Sequence, residues 1–272
     1  MTASSGRTAA GTPWTSVDER ERGTSGARGD GGPTVLFANS LGTAQDSWWP
    51  QVEALAGEAR CLTWDYWGHG EGGDPPPRPT LEAVTDEAVA VLDAAGADRV
   101  HVCGLSLGGM VAVDLAARYP ERVASATVLS APAYQENPQF WTDRAAAVRD
   151  GGIDVVSGGV AGRWFTSTFL EAHPEAAERV VAPLRAMRPS GYAACCEAIA
   201  GADVRDRARQ VTCPATVVAG AQDVAVPASH GEILAAAIPG ATLTVVDDGA
   251  HILNVSHPDL VTSLLRDRLA AA

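Results

Sequence analysis

The sequence contains no lysine; all 20 of its basic side chains are arginine. That excludes a lysine Schiff base and a lysine general base. Charge is sparse, at 19% of residues, and acidic on balance, with a formal net charge of −13. No basic patch of the kind used by nucleic-acid binders occurs, so no nucleic-acid partner is expected. No run of 18 apolar residues is present either, so neither a transmembrane helix nor a membrane partner is expected. The N-terminus lacks the basic start and apolar stretch of a secretory signal. Cysteine is scarce: Cys61, Cys103, Cys195, Cys196 and Cys213, an odd number with no Cys-x-x-Cys pair. That spacing describes neither a disulfide framework nor a zinc site, so no metal is expected and the compartment reads as reducing and cytoplasmic.

What is present is 272 residues with 46% hydrophobic side chains, enough for one globular α/β domain with its own core. Residues 1–32 are rich in Gly, Ser, Thr and Arg and read as a low-complexity extension, largely disordered, with at most weak edge strands within Trp14–Arg22. From Thr34 the pattern becomes regular. Apolar runs at Thr34–Ala38, Arg60–Asp65, Arg99–Leu105, Val123–Ser130, Ala215–Ala219 and Ala241–Val246 read as strands. Helices are expected between them. In Thr80–Ala95, for example, Leu81, Val84, Ala88, Val91 and Leu92 share one face, with Thr80 as N-cap and Gly96 as the stop. Strands alternating with helices imply an α/β fold: a mainly parallel sheet with helices on both faces. The alternation breaks over residues 132–205, which read as a helical lid inserted into a core of residues 33–131 and 206–272.

Gly104-Leu105-Ser106-Leu107-Gly108 matches G-x-S-x-G, between an expected strand and an expected helix. That setting puts a serine hydroxyl on a sharp turn above the sheet. The flanking glycines remove side chains that would collide there. Ser106 is therefore the candidate nucleophile, and the Leu107 N–H at the helix start is the first candidate oxyanion donor. The acid and base that go with this motif follow in chain order. Asp223 and His251 lie just beyond the strands Ala215–Ala219 and Ala241–Val246, so all three would emerge at one edge of a parallel sheet. His251 would take the Ser106 proton, and Asp223 would fix the imidazole tautomer. His69, on a glycine-rich loop, reads as a residue that orders that loop, and His230 as a helix residue. The loop after the first core strand, Asn39-Ser40-Leu41-Gly42-Thr43, offers Leu41 N–H as the second donor, with Ser40 at the pocket. Tyr134, Trp141 and Trp164, in the inserted segment, are candidate substrate contacts, although aromatic residues in such helices more often fill a core.

These residues resemble the α/β-hydrolase superfamily and, more narrowly, the 3-oxoadipate enol-lactonases of the β-ketoadipate pathway. The narrower likeness rests on Asn39–Thr43, on CGLSLGGM at Cys103–Met110, on GYAACCEAI at Gly191–Ile199, on AGAQD at Ala219–Asp223 and on Arg163–Thr166. It runs from about Thr34 to about Leu265. It implies cofactor-free hydrolysis of a small enol-lactone or ester through an acyl-enzyme on Ser106, a small molecule being the partner. Two departures stand out. Asp65–Gly72 carries Trp67 and Gly72 where the family pattern has arginine and serine. Tyr134-Gln135-Glu136 stands where relatives often carry an arginine suited to a substrate carboxylate. They imply a pocket adapted to a less acidic ester or lactone, unless Arg144 or Arg163 takes that arginine's place. The same triad could also serve a perhydrolase, a carbon–carbon hydrolase or a biosynthetic tailoring enzyme. A ligand sensor with slow turnover is a further alternative, against which an intact triad argues.

Overall fold

The computed structural model describes residues 2–18 and 32–271. Eight strands form one sheet: β1 Thr2–Arg7, β2 Pro13–Asp18, β3 Thr34–Ala38, β4 Arg60–Trp64, β5 Val100–Leu105, β6 Val123–Leu129, β7 Ala215–Gly220 and β8 Thr242–Val246. Their order across the sheet is β1-β2-β4-β3-β5-β6-β7-β8. From β4 to β8 every pairing is parallel. The chain passes from β3 out to β4 and returns across β3 to β5, so the strand order reverses between β3 and β5. In open α/β sheets, ligands bind in the crevice at the carboxyl ends of strands at such a reversal. The central strands are near-continuous apolar runs because both of their faces are covered; every residue of β5 and β7 is buried.

Helix Leu81–Ala95 forms as its sequence dictates. Leu81, Val84, Ala88, Val91 and Leu92 are buried, and the Thr80 hydroxyl accepts the Ala83 N–H at 3.2 Å. Helix Leu107–Arg118 follows β5 directly and is buried along ten consecutive positions, Leu107 to Ala116.

The disorder expected for the first dozen residues is corrected, because β1 forms there, whereas the edge strand expected within Trp14–Arg22 is present as β2. β1 and β2 pair as an antiparallel hairpin, and β2 continues onto β4 with Trp14 opposite Trp64 and Val17 opposite Cys61. β4 would otherwise present a row of unpaired backbone groups, and the hairpin satisfies them. Trp14, 9% exposed, seals the hairpin to the core. Composition missed β1 because its residues are mostly small and polar, and what holds it is the backbone ladder to β2. The expectation for residues 19–31 falls outside the described residues.

Between β6 and β7 the chain is helical. Pro138–Gly151 and Pro189–Ala200 pack on each other, with Val160–Trp164 and Pro174–Arg185 between them in sequence. The segment's two ends meet at the sheet: Val204 N–H donates to Ala133 carbonyl at 2.9 Å, and Tyr134 and Asp203 form an antiparallel bridge. All five cysteines are buried.

Candidate active site

Ser106 sits between β5 and its helix at φ 57°, ψ −113°, a backbone conformation that non-glycine residues rarely adopt. Its surroundings hold it there. Ser106 N–H donates to Leu129 carbonyl at 2.8 Å and Gly108 N–H to Asn39 carbonyl at 2.9 Å. The two glycines are steric requirements: a Cβ on Gly104 would collide with the Gly108 carbonyl, and one on Gly108 with the Ala38 carbonyl.

The loops after β7 and β8 carry the acid and the base. Asp223 Oδ1 accepts the N–H groups of Ala225 (2.8 Å) and Val226 (2.9 Å), and its Oδ2 meets His251 Nδ1 at 2.7 Å. Asp223 Oδ2, a carboxylate oxygen, accepts the hydrogen bond from Nδ1–H, and in the neutral imidazole that tautomer leaves a lone pair on His251 Nε2. Both side chains are buried. The His251 and Ile252 N–H groups both donate to Trp164 carbonyl at 3.1 Å, so the end of one inserted helix holds the histidine loop. Ser106 and His251 line one cavity. Among the described residues, no hydrogen bond joins the Ser106 hydroxyl to the imidazole.

The Asn39–Thr43 loop is clamped on every side. Asn39 donates to Trp64 carbonyl (2.7 Å) and accepts from the Trp48 indole (3.0 Å). Gly42 N–H donates to His69 Nε2 at 3.1 Å, while His69 Nδ1–H donates to Trp67 carbonyl at 2.8 Å. That pair of contacts needs a neutral imidazole, and burial pushes its pKa down to about 4. His69 thus orders the loop, as its position implies. The N–H groups of Leu41 and Leu107 bond to no protein acceptor among the described residues. The departures in the neighbouring loop have local causes. Trp67 is buried, with a side-chain hydrogen bond to Glu87, and a Cβ at Gly72 would collide with the Tyr66 carbonyl.

The cavity has a volume of about 360 Å³. Ser40, Leu41, Ser106, Leu107, Tyr134, Trp141, Trp164 and His251 line it, and Asp223 lies behind His251. Four lining residues were not singled out from sequence as pocket residues or were left unplaced: Arg144, Arg163, Tyr192 and His230. Tyr192 lies inside the GYAACCEAI stretch, the one available signal. His230 Nδ1 accepts the Ala133 N–H at 3.2 Å, so Nε2 carries the proton in its neutral form. Its ring packs against Tyr134 at 5.3 Å. No sequence pattern marks it, because the contact joins residues 97 apart.

The alpha/beta hydrolase family profile matches residues 35–264, and the chain belongs to that family. Among its relatives, 3-oxoadipate enol-lactonase 2 of Acinetobacter baylyi is 34% identical over 83% of this chain and 84% of its own length. A putative carbamate hydrolase RutD of Klebsiella pneumoniae is 31% identical over 89% and 92%. The crystal structure of the enol-lactonase from Burkholderia xenovorans superposes with a TM-score of 0.87 at 32% identity, covering 98% of this chain and 100% of that one. No helix among the described residues is long and apolar enough to cross a membrane.

Proposed function

We propose that this protein hydrolyses a small enol-lactone or carboxylic ester through an acyl-enzyme on Ser106. The observation that carries the reading is the 2.7 Å Asp223–His251 contact beside a serine held at a strained turn on the same cavity. With Nδ1 committed to Asp223, His251 Nε2 accepts the Ser106 proton in the substrate complex, where catalytic hydrogen bonds tighten. The Leu41 and Leu107 N–H groups, free of protein acceptors among the described residues, receive the oxyanion of the tetrahedral intermediate. His251 then returns the proton to the leaving oxygen. In a lactone that oxygen stays tethered as an enol, which tautomerises to a ketone and helps drive ring opening. Water activated by His251 releases the acid. Tyr134, Trp141 and Trp164 supply the apolar wall of the pocket, and residues 132–205 act as its lid.

The enol-lactonase likeness favours the lactone. The RutD likeness supports a second reading, a carbamate, whose carbonyl the same machinery would attack. The test is hydrolysis of 3-oxoadipate enol-lactone, 4-nitrophenyl acetate and a simple carbamate by the wild type and by Ser106→Ala. Ser106-dependent lactone opening is expected. Ester turnover without lactone turnover would remove the narrow assignment, and turnover independent of Ser106 would remove the mechanism.

A further inference from the structure

We infer that the Nε2–H group of His230 binds an uncharged carbonyl oxygen of the substrate, a second carbonyl besides the one that Ser106 attacks. The inference rests on the serine-hydrolase reading of the same cavity and adds a specificity-determining contact to it.

His230 lies in the first turn of helix Ala228–Ala237, after β7, and lines the cavity together with Ser106 and His251. It is 7% exposed. Its Nδ1 accepts the Ala133 N–H at 3.2 Å, which requires an unprotonated Nδ1 and puts the ring proton on Nε2. Burial pushes its pKa below the ordinary histidine value, against an upward pull from Glu136. Nε2–H meets no protein acceptor among the described residues, and it opens onto the cavity rather than into packed side chains. Although His230 belongs to a core helix, what orients its ring comes from the inserted segment: the Ala133 amide at one end and the Tyr134 ring against its face, at 5.3 Å and 58°. Gln135, on the same wall, spends Oε1 on the Trp141 indole at 2.7 Å, and its buried Nε2 has no acceptor among the described residues. This wall thus carries two N–H donors that the protein leaves without an acceptor.

The two histidines of the cavity are opposite tautomers. His251 rests Nδ1–H on a carboxylate and offers a lone pair; His230 rests Nδ1 on a backbone N–H and offers a proton. His230 is therefore placed as a fixed donor and not as a base. In a cavity largely withdrawn from water such a donor favours a ligand that supplies an acceptor and penalises one that does not. A ligand group that takes the place of water beside it must accept the same hydrogen bond or lose affinity. The chemistry of the wall selects the acceptor. A neutral imidazole brings no charge to balance an anion, and Glu136, the acidic side chain on this wall, repels one. A ligand hydroxyl would bring a further proton to a wall already short of acceptors. A ketone or ester carbonyl only accepts, and it fits.

Two matched pairs of esters test this, each pair differing by one ketone oxygen. They are 4-nitrophenyl 4-oxopentanoate against 4-nitrophenyl pentanoate for the acyl side, and 2-oxopropyl acetate against propyl acetate for the alcohol side. In His230→Phe the ratio of kcat/KM, ketone ester over plain ester, should fall at least about fivefold in one of the pairs. His230→Gln, which keeps an N–H donor, should recover part of that ratio; thermal midpoints confirm that each variant is folded. A histidine that served the fold alone would change both members of a pair alike. Independently of turnover, nitrogen NMR of the ring in Ser106→Ala should show the proton on Nε2, and that resonance should shift with methyl 4-oxopentanoate but not with methyl pentanoate. Ratios unchanged by His230→Phe in both pairs, a free ring protonated on Nδ1, or an equal shift with both methyl esters would overturn the subsite while leaving the hydrolase reading intact. A shift specific to the ketone without Ser106-dependent turnover of any ester would do the reverse.

Discussion

The loops at the carboxyl edge of the sheet and the helical segment above them build one cavity by different physics. The edge loops hold Ser106, Asp223, His251 and Leu41 by backbone geometry: a left-handed serine, two glycines that admit no Cβ, and carboxylate and amide groups whose partners are backbone atoms. The inserted segment contributes Trp141, Arg144, Trp164 and Tyr192 through side chains packed between helices. Regions of the first kind tolerate almost no change in position. Regions of the second kind can exchange side chains and keep the fold. The difference teaches where chemistry and where substrate choice reside: the proposed bond-breaking groups lie in the rigid region, and the proposed substrate contacts in the exchangeable one or, like His230, packed against it.

Substitutions in the edge loops should therefore lower kcat, while those in the inserted segment should act on KM. The largest effect is expected for Ser106→Ala and His251→Ala, each lowering kcat by about 10⁴ or more in steady-state ester hydrolysis. Asp223→Asn should cost on the order of 10⁴, through loss of the Nδ1–H tautomer. A kcat close to wild type in any of these would break the comparison at its root.

Gly104→Ala should come next. Its new methyl meets the Gly108 carbonyl, so the turn must shift; a loss of about 1–3 kcal/mol in urea unfolding is expected, together with a fall in kcat.

His69 sharpens the comparison through pH. Its pKa is about 4 in the folded protein against an ordinary 6.5. Between those values the unfolded chain takes up a proton that the folded protein does not. The contribution is therefore complete above pH 6.5 and is lost as the pH falls toward 4. Its full size is about 3 kcal/mol, at 1.36 kcal/mol per pKa unit. Unfolding free energies at pH 7 and pH 4.5 should diverge less in His69→Gln than in the wild type; an identical divergence would mean that the imidazole does not secure the Asn39–Thr43 loop.

The smallest effect is expected for Trp141→Leu, in the inserted segment. It should raise KM a few-fold and leave kcat within about a factor of two, the signature of uniform binding. A large fall in kcat there would erase the distinction between the two regions.

The parts of this molecule that were legible in the sequence are those whose physics is local. The strand at Thr34–Ala38, the N-cap at Thr80 and the G-x-S-x-G turn each follow from a handful of adjacent residues, and each lies where the pattern puts it. Asp223 and His251 were legible because a parallel sheet delivers the loop after every strand to one edge. Of the N-terminal hairpin only a weak edge strand within Trp14–Arg22 was legible; β1 and the pairing with β4 were not, because the ladder bonds to β4 join backbone groups some 44 to 50 residues apart.

The sequence by itself determined the α/β alternation, the strained turn at Ser106 and the order of the three polar groups, because short-range sterics and strand direction decide these. Only the tertiary structure decided that Arg144 meets Tyr192, that His230 turns to Ala133, and that Trp164 carbonyl receives the His251 loop. Those contacts depend on how separate elements pack, and packing depends on the whole chain at once.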